Sequence, residues 1–229
     1  MKYNDLYNNP WERATVTYPY VWWDDGFTNQ ELDKIINYCE HKGLERAHTI
    51  GADPIKDKQL IEQIRRCDVK FHYPNAETSW FFDRLNFIIK SLNDRFYNFE
   101  LNGYEYFQYT SYNSQELGTY DWHMDTHLGN DALPKNMHEP RKLSLTLLLN
   151  DPEKDFIGGD FQINMGQEKN AATVPFKRGR AVVFPSFMIH KVTPIIKGFR
   201  KSAVVWVTGP KDRKSTRLNS SHLGISYAV

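Results

Sequence analysis

Two imidazoles and one carboxylate, His123, Asp125 and His190, are the residues of this sequence best suited to chemistry, with Arg200 ten positions beyond the last of them. Two histidines and a carboxylate form the ligand set of a mononuclear non-haem Fe(II) oxygenase. They fill one face of an octahedral ion and leave the opposite face open. His123 and Asp125 are two residues apart, so on a strand both side chains point to the same side of the sheet. His190 follows Asp125 by 65 residues, room for four or five short strands, and must come from a late strand that folds back beside the early one. A 2-oxo acid can take two of the open positions on the metal and O2 the third, and the products are then succinate and CO2. The guanidinium of Arg200 is a planar fork that matches a carboxylate in two parallel hydrogen bonds. Ser202, two residues along the same strand, adds a hydroxyl donor. Tyr112, on the strand before the metal motif, adds a phenol, and Trp206 continues the parity of Arg200 and Ser202 as a pocket wall.

These side chains need a rolled sheet to bring them together. The chain has 229 residues, 40% hydrophobic, 14% aromatic and 25% charged, enough for one domain with a substantial core. The formal charge of +1 gives no electrostatic case for a nucleic-acid or membrane partner. No apolar run approaches the roughly 20 residues of a membrane span. The start, MKYNDLYNNPWER, lacks the apolar stretch of a signal peptide. Cys39 and Cys67, both in segments that read as helical, are expected to be reduced and structural. These features together predict a cytoplasmic protein.

Residues 18–23 read as a short strand. Thr28-Asn29-Gln30-Glu31 is a capping-box signature, followed by Leu32, Ile35, Ile36 and Cys39 at helical spacing, with Gly43 as the stop. A short helix is expected over 58–66 and a strand over 69–73. A longer helix is expected over 78–96, its buried stripe marked by Trp80, Phe81, Leu85, Ile88, Ile89, Leu92 and Phe96. After Gly103 the texture changes to short strands at 104–112, 118–125, 142–149, 159–165, 171–175, 180–184, 188–193 and 199–207, separated by Gly, Pro, Asn and Asp. About eight such strands indicate a sandwich, barrel or jelly roll. Gly158-Gly159 and Gly179 sit where tight turns are needed. The stretch 126–140 is the best candidate for a loop beside the site. The division expected is 1–103 as an N-terminal α/β support integral to the same domain, 104–210 as the core, and 211–229 as a tail. From Lys214 the Ser-rich tail looks like translated adaptor sequence and is set aside together with His222.

From residue 104 to 210 the chain resembles the Fe(II)- and 2-oxoglutarate-dependent dioxygenases, in their prolyl 4-hydroxylase-like branch. The residues that carry the resemblance are Tyr120-Asp121-Trp122-His123-Met124-Asp125, Arg141-Lys142-Leu143-Ser144, Leu148-Leu149-Asn150-Asp151 and Phe156-Ile157-Gly158-Gly159-Asp160-Phe161. Gly179-Arg180-Ala181-Val182-Val183-Phe184-Pro185-Ser186, His190-Lys191-Val192-Thr193-Pro194 and Gly198-Phe199-Arg200-Lys201-Ser202 complete it. The resemblance implies a double-stranded β-helix (jelly roll), Fe(II) held by His123, Asp125 and His190, and 2-oxoglutarate held at its distal carboxylate by Arg200 with help from Tyr112. It implies ascorbate as the reductant that restores Fe(II), and a prolyl residue of a peptide or protein as substrate. One departure stands out: some prolyl hydroxylases carry a co-substrate tyrosine on the strand that here reads Leu145-Thr146-Leu147-Leu148-Leu149.

Blander readings compete. A metal-retaining jelly-roll binding module without catalysis fits the same ligands. His123 and His127 share the spacing of a helical zinc pair, but Met124 stands where a metallopeptidase places Glu, and the stretch alternates like a strand. His41, His48, His72 and His138 read as structural. Asp121 is near enough to His123 in sequence to be considered as a ligand, but Asp125 fits the family pattern. Arg65-Arg66 and Lys177-Arg178 read as solvated edges, and the aromatic cluster Trp80, Phe81 and Phe82 as core.

Overall fold

The computed structural model describes residues 18–48, 56–126 and 139–210. The 211–229 tail, His127, His138 and most of the 126–140 loop lie outside them. Three helices are α1 (Asn29–His41), α2 (Lys58–Ile64) and α3 (Ser79–Leu92). The capping box of α1 forms as expected: Glu31 N–H donates to Thr28 Oγ1 at 3.2 Å, and Thr28 N–H donates to Glu31 Oε2 at 2.8 Å. The α3 stripe buries Phe81, Leu85, Ile88, Ile89 and Leu92, but the expected helix over 78–96 changes pitch. Asn93–Tyr97 is a π-helical turn that ends at Asn98 with φ 53°.

Thirteen strands are described: β1 (Val21–Trp23), β2 (Glu45–Arg46), β3 (Arg65–Arg66), β4 (Asp68–His72), β5 (Phe107–Asn113), β6 (Thr119–His123), β7 (Arg141–Leu148), β8 (Phe156–Gly158), β9 (Phe161–Ile163), β10 (Ala172–Thr173), β11 (Ala181–Pro185), β12 (His190–Val192) and β13 (Ile195–Thr208). The larger sheet runs β1-β11-β7-β13-β5-β4-β2, with β8 paired to the start of β13. The smaller runs β10-β9-β12-β6-β3. This is the mainly β, two-sheet architecture with α support that the sequence indicated. Several details differ. The helix expected over 58–66 stops at Ile64 and Arg65–Arg66 pairs with β6, which leaves Cys67 between two strands rather than in a helix. The strand expected over 118–125 stops at His123, β8 is an additional strand, and β13 is 14 residues long.

The alternation of side chains sorts two apolar clusters onto opposite faces of the larger sheet. On β7, Leu143, Leu145 and Leu147 face α1 and α3, where they join Leu32, Ile35, Phe81, Leu85 and Ile88. Leu148 faces the smaller sheet with Phe161, Ile163, Phe184 and Val192. The order of layers is therefore helices, larger sheet, smaller sheet, and the candidate residues lie between the sheets. The N-terminal region contributes strands to both sheets, β1, β2 and β4 to the larger and β3 to the smaller.

One turn bears directly on the site. Gly159, after β8, has φ +68°, and a Cβ there would come within 2.2 Å of Ile195 Cδ1 and 2.9 Å of Arg200 Cδ. Gly159 thus lets the stem of Arg200 pass against bare backbone. Gly159→Ala is expected to destabilise the protein by about 1–3 kcal/mol and to weaken binding at Arg200, measurable by denaturant unfolding and by calorimetry with 2-oxoglutarate.

Candidate active site

The antiparallel pairing of β12 with β6 sets His190 directly opposite His123, which closes the 67-residue gap in sequence into one cross-strand pair. Their rings lie 4.1 Å apart. Asp125 joins them from just beyond the end of β6. Its backbone is held there because the N–H groups of Asp125 and Thr126 both donate to Ser186 O at 3.0 Å. One ligand atom from each of His123, Asp125 and His190 falls within 4.8 Å of the others, the one such group of three metal-binding side chains among the described residues. Asp121 is not part of it.

The hydrogen bonds orient the two imidazoles in a way that suits metal binding. His123 Nδ1 sits 2.7 Å from Asp121 O, and His190 Nδ1 sits 2.9 Å from Met188 O. A carbonyl only accepts, so each Nδ1 carries a proton, and each Nε2 is the ring nitrogen turned toward Asp125. His123 Nε2 is 3.7 Å from Asp125 Oδ1, and His190 Nε2 is 3.5 Å from Asp125 Oδ2. Burial, reinforced by His190, pushes the His123 pKa down to about 3, so its lone pair is free at neutral pH. Burial works against ionisation of Asp125, but the two histidines and the Ser144 hydroxyl hold its carboxyl below the usual range. Ser144 Oγ donates to Asp125 Oδ2 at 2.7 Å and lies 2.9 Å from Ser186 Oγ. Loss of such a supporting bond costs about 10–100-fold in metal affinity. Ser144→Ala is expected to fall in that range by metal titration, with the fold retained.

At the other end of the cavity Arg200 is 2% exposed. It projects from β13 opposite Tyr112 of β5, its guanidinium carbon 5.7 Å from the Tyr112 ring. Nη1 donates to Ser202 Oγ at 3.2 Å, whereas Nη2 has no partner among the described residues. Burial raises the Tyr112 pKa, so the phenol keeps its proton and remains a donor. Trp206 also lines the cavity, stacked under Arg141 at 4.2 Å, and its buried Nε1 likewise lacks a partner. A buried donor left unpaired costs about 1–3 kcal/mol. Two such donors in one cavity fit an anionic ligand with acceptor oxygens. The donor set therefore suits both a divalent ion with open positions and a dicarboxylate co-substrate.

Several lining residues were not anticipated: Arg65, Gln108, Tyr120 and Thr146. The reading of Arg65 as a solvated edge is corrected. It is 7% exposed and faces the cavity, and only Arg66 turns outward, to Leu117 O and Glu62 O. The in-out alternation of β3 was the available signal, masked by two identical residues in a row.

A family profile described as "2OG-Fe(II) oxygenase superfamily" matches residues 107–208, the span that contains all three clustered side chains and Arg200. The matched span is a little under half of the chain. Among curated proteins similar to this chain, a PKHD-type hydroxylase from Alteromonas mediterranea is 34% identical over 95 residues, covering 40% of this chain and 39% of the relative. The PKHD-type hydroxylase YbiX of Escherichia coli is 34% identical over 95 residues, covering 41% and 39%. The chain thus spans about two fifths of the length of the curated relatives it matches. Among solved structures, a Pseudomonas putida prolyl-4-hydroxylase superposes with a TM-score of 0.64 at 17% identity, covering 85% of this chain and 95% of that one. A Trichoplax adhaerens prolyl hydroxylase, solved with a hypoxia inducible factor peptide fragment, gives 0.63 at 16% identity, covering 87% and 86%. At these identities the structural likeness speaks for the oxygenase fold.

Proposed function

We propose that this protein is an Fe(II)- and 2-oxoglutarate-dependent dioxygenase that hydroxylates an unactivated C–H bond. The observation that carries this reading is the sharing of one cavity by the His123, Asp125 and His190 cluster and the unpartnered guanidinium nitrogen of Arg200. In it His123, Asp125 and His190 hold Fe(II), and Arg200 grips the distal carboxylate of 2-oxoglutarate, with Ser202 and Tyr112 as further donors and Trp206 as a wall. Bound Fe(II) and 2-oxoglutarate supply the oxidising chemistry, in which reduction of O2 is coupled to decarboxylation of the 2-oxo acid to succinate and CO2 and to hydroxylation of the substrate. The protein's part is placement. The carbonyls of Asp121 and Met188 fix the imidazole tautomers, Ser144 aims the carboxylate, and Phe161, Phe184 and Val192 keep the cavity wall dry.

Leu148 stands on the strand where some prolyl hydroxylases place a co-substrate tyrosine, which leaves Tyr112, across β13, as the phenol nearest the Arg200 fork. The similarity to named prolyl hydroxylases supports a prolyl residue in a peptide or protein as the substrate, and ascorbate would be the reductant that maintains Fe(II). The catalytic unit is residues 104–210 supported by 1–103, with 211–229 outside it. No helix among the described residues is long and apolar enough to cross a membrane, in keeping with a cytoplasmic enzyme.

The test is anaerobic reconstitution with Fe(II), addition of 2-oxoglutarate and O2, and measurement of succinate. The expected result is succinate release that requires both additions and stops on chelation of the metal. Firm zinc binding with no 2-oxoglutarate binding overturns the proposal.

A further inference from the structure

We propose that Arg65 anchors a carboxylate of the prime substrate, so that the molecule hydroxylated is an anion. This rests on the dioxygenase reading and extends it to the class of substrate.

Arg65 has the burial of a core residue and the partners of a binding residue. Its guanidinium reaches Cys67 Sγ at 3.2 Å, His48 O at 3.4 Å and Gln108 Oε1 at 3.4 Å. All three are neutral, and the two contacts to oxygen are long for charge-assisted hydrogen bonds, which run about 2.7–2.9 Å. Arginine is almost never this buried without a carboxylate beside it. The carboxylate that lines the same cavity, Asp125, is committed to the two histidines and Ser144. Gln108 is itself held by donating from Nε2 to Thr110 Oγ1 at 2.8 Å, which turns its oxygen toward Arg65. The guanidinium is therefore oriented but not neutralised.

Its position relative to the metal cluster is fixed by stacking. The Arg65 guanidinium carbon lies 4.4 Å from the centre of the Tyr120 ring, and that ring lies 3.5 Å from the His123 imidazole at an interplanar angle of 14°. Arg65 thus sits one aromatic ring beyond a proposed metal ligand. An anchor for the molecule to be oxidised belongs at such a remove, near the reacting bond without competing for the ion.

The charges count the same way. With the imidazoles neutral as ligands, the cavity presents two guanidiniums against one carboxylate. A divalent metal and a dianionic co-substrate cancel. One positive charge is left over, which a single carboxylate neutralises. Arg200 is occupied by the co-substrate in this arrangement, so among the described residues that line the cavity Arg65 is the cation without a counter-ion.

The test uses full-length protein loaded with Zn(II), which does not turn over, and saturated with 2-oxoglutarate so that Arg200 is filled. Two probes of nearly equal shape are titrated by calorimetry: N-acetylglycine, a carboxylate, and N-acetylglycinamide, its neutral counterpart. The expected result is at least tenfold tighter binding of the acid. Arg65→Gln removes that preference while still binding 2-oxoglutarate, and Arg65→Lys, which keeps the charge but loses the fork, retains part of it. Equal binding of acid and amide by the wild type, or an undiminished preference in Arg65→Gln, overturns the proposal. So does a loss of Zn(II) affinity in both Arg65 variants, which assigns Arg65 to bracing His123 instead. Absence of 2-oxoglutarate binding in the first titration is a separate result that defeats the dioxygenase reading itself, and this inference with it.

Discussion

Asp125→Ala is expected to lower Fe(II) affinity by more than about a hundredfold and to abolish succinate release, while the unfolding midpoint of the metal-free protein should move by no more than about 4 °C. The first part follows because a supporting hydrogen bond alone is worth about 10–100-fold, and Asp125 supplies the single anionic donor of the cluster. The second follows from where its carboxylate points. It faces the cavity rather than the apolar clusters, and Ser144, its partner, keeps a second contact in Ser186. Metal titration and thermal unfolding of the same preparation separate the two effects. Succinate release at the wild-type rate would remove Asp125 from the ligand set.

Arg200 variants separate the co-substrate from the metal. Arg200→Lys replaces a fork with a point charge and is expected to weaken 2-oxoglutarate about 10–100-fold, on the basis of about 1.5–3 kcal/mol for a charged hydrogen bond. Fe(II) affinity should change by only a few-fold. Arg200→Met should lose still more 2-oxoglutarate affinity, yet raise the unfolding midpoint in the absence of ligands. A fully buried guanidinium with one unpartnered nitrogen is a standing cost, visible as a pKa driven down by burial, and an apolar chain of similar length removes it. A lower midpoint in Arg200→Met, or unchanged 2-oxoglutarate binding in Arg200→Lys, would show that the guanidinium serves the fold and not the co-substrate.

Much of this architecture was legible because it rests on local rules. The capping box at Thr28, the apolar stripe of Phe81 to Leu92 and the alternation along β7 and β13 are short-range signals, and each led to the observed element. The site was legible where residue type and spacing carry chemistry, as in His123, Asp125, His190 and Arg200, which the fold does gather into one cavity. What was missed depends on contacts distant in sequence. Arg65 looked like surface because arginine usually is, and only pairing of a two-residue strand with β6 turns it inward. Cys67 looked helical because the pattern of α2 runs on past the point where β-pairing takes over. Asp125 looked like a strand residue because its true support, the carbonyl of Ser186, lies 61 residues away.

The two histidines belong to the smaller sheet and Arg200 to the larger, and stacked sheets keep a separation of about 10 Å. A ligand chelated on one wall and gripped on the other is thereby measured by the gap. If the proposed function holds, the sandwich would act as a ruler for diacid chain length, so 2-oxoadipate, one methylene longer, and oxaloacetate, one shorter, should each fail to span it as well as the five-carbon acid. Substitutions that swell the packing between the walls, even far from any ligand, would reset that length.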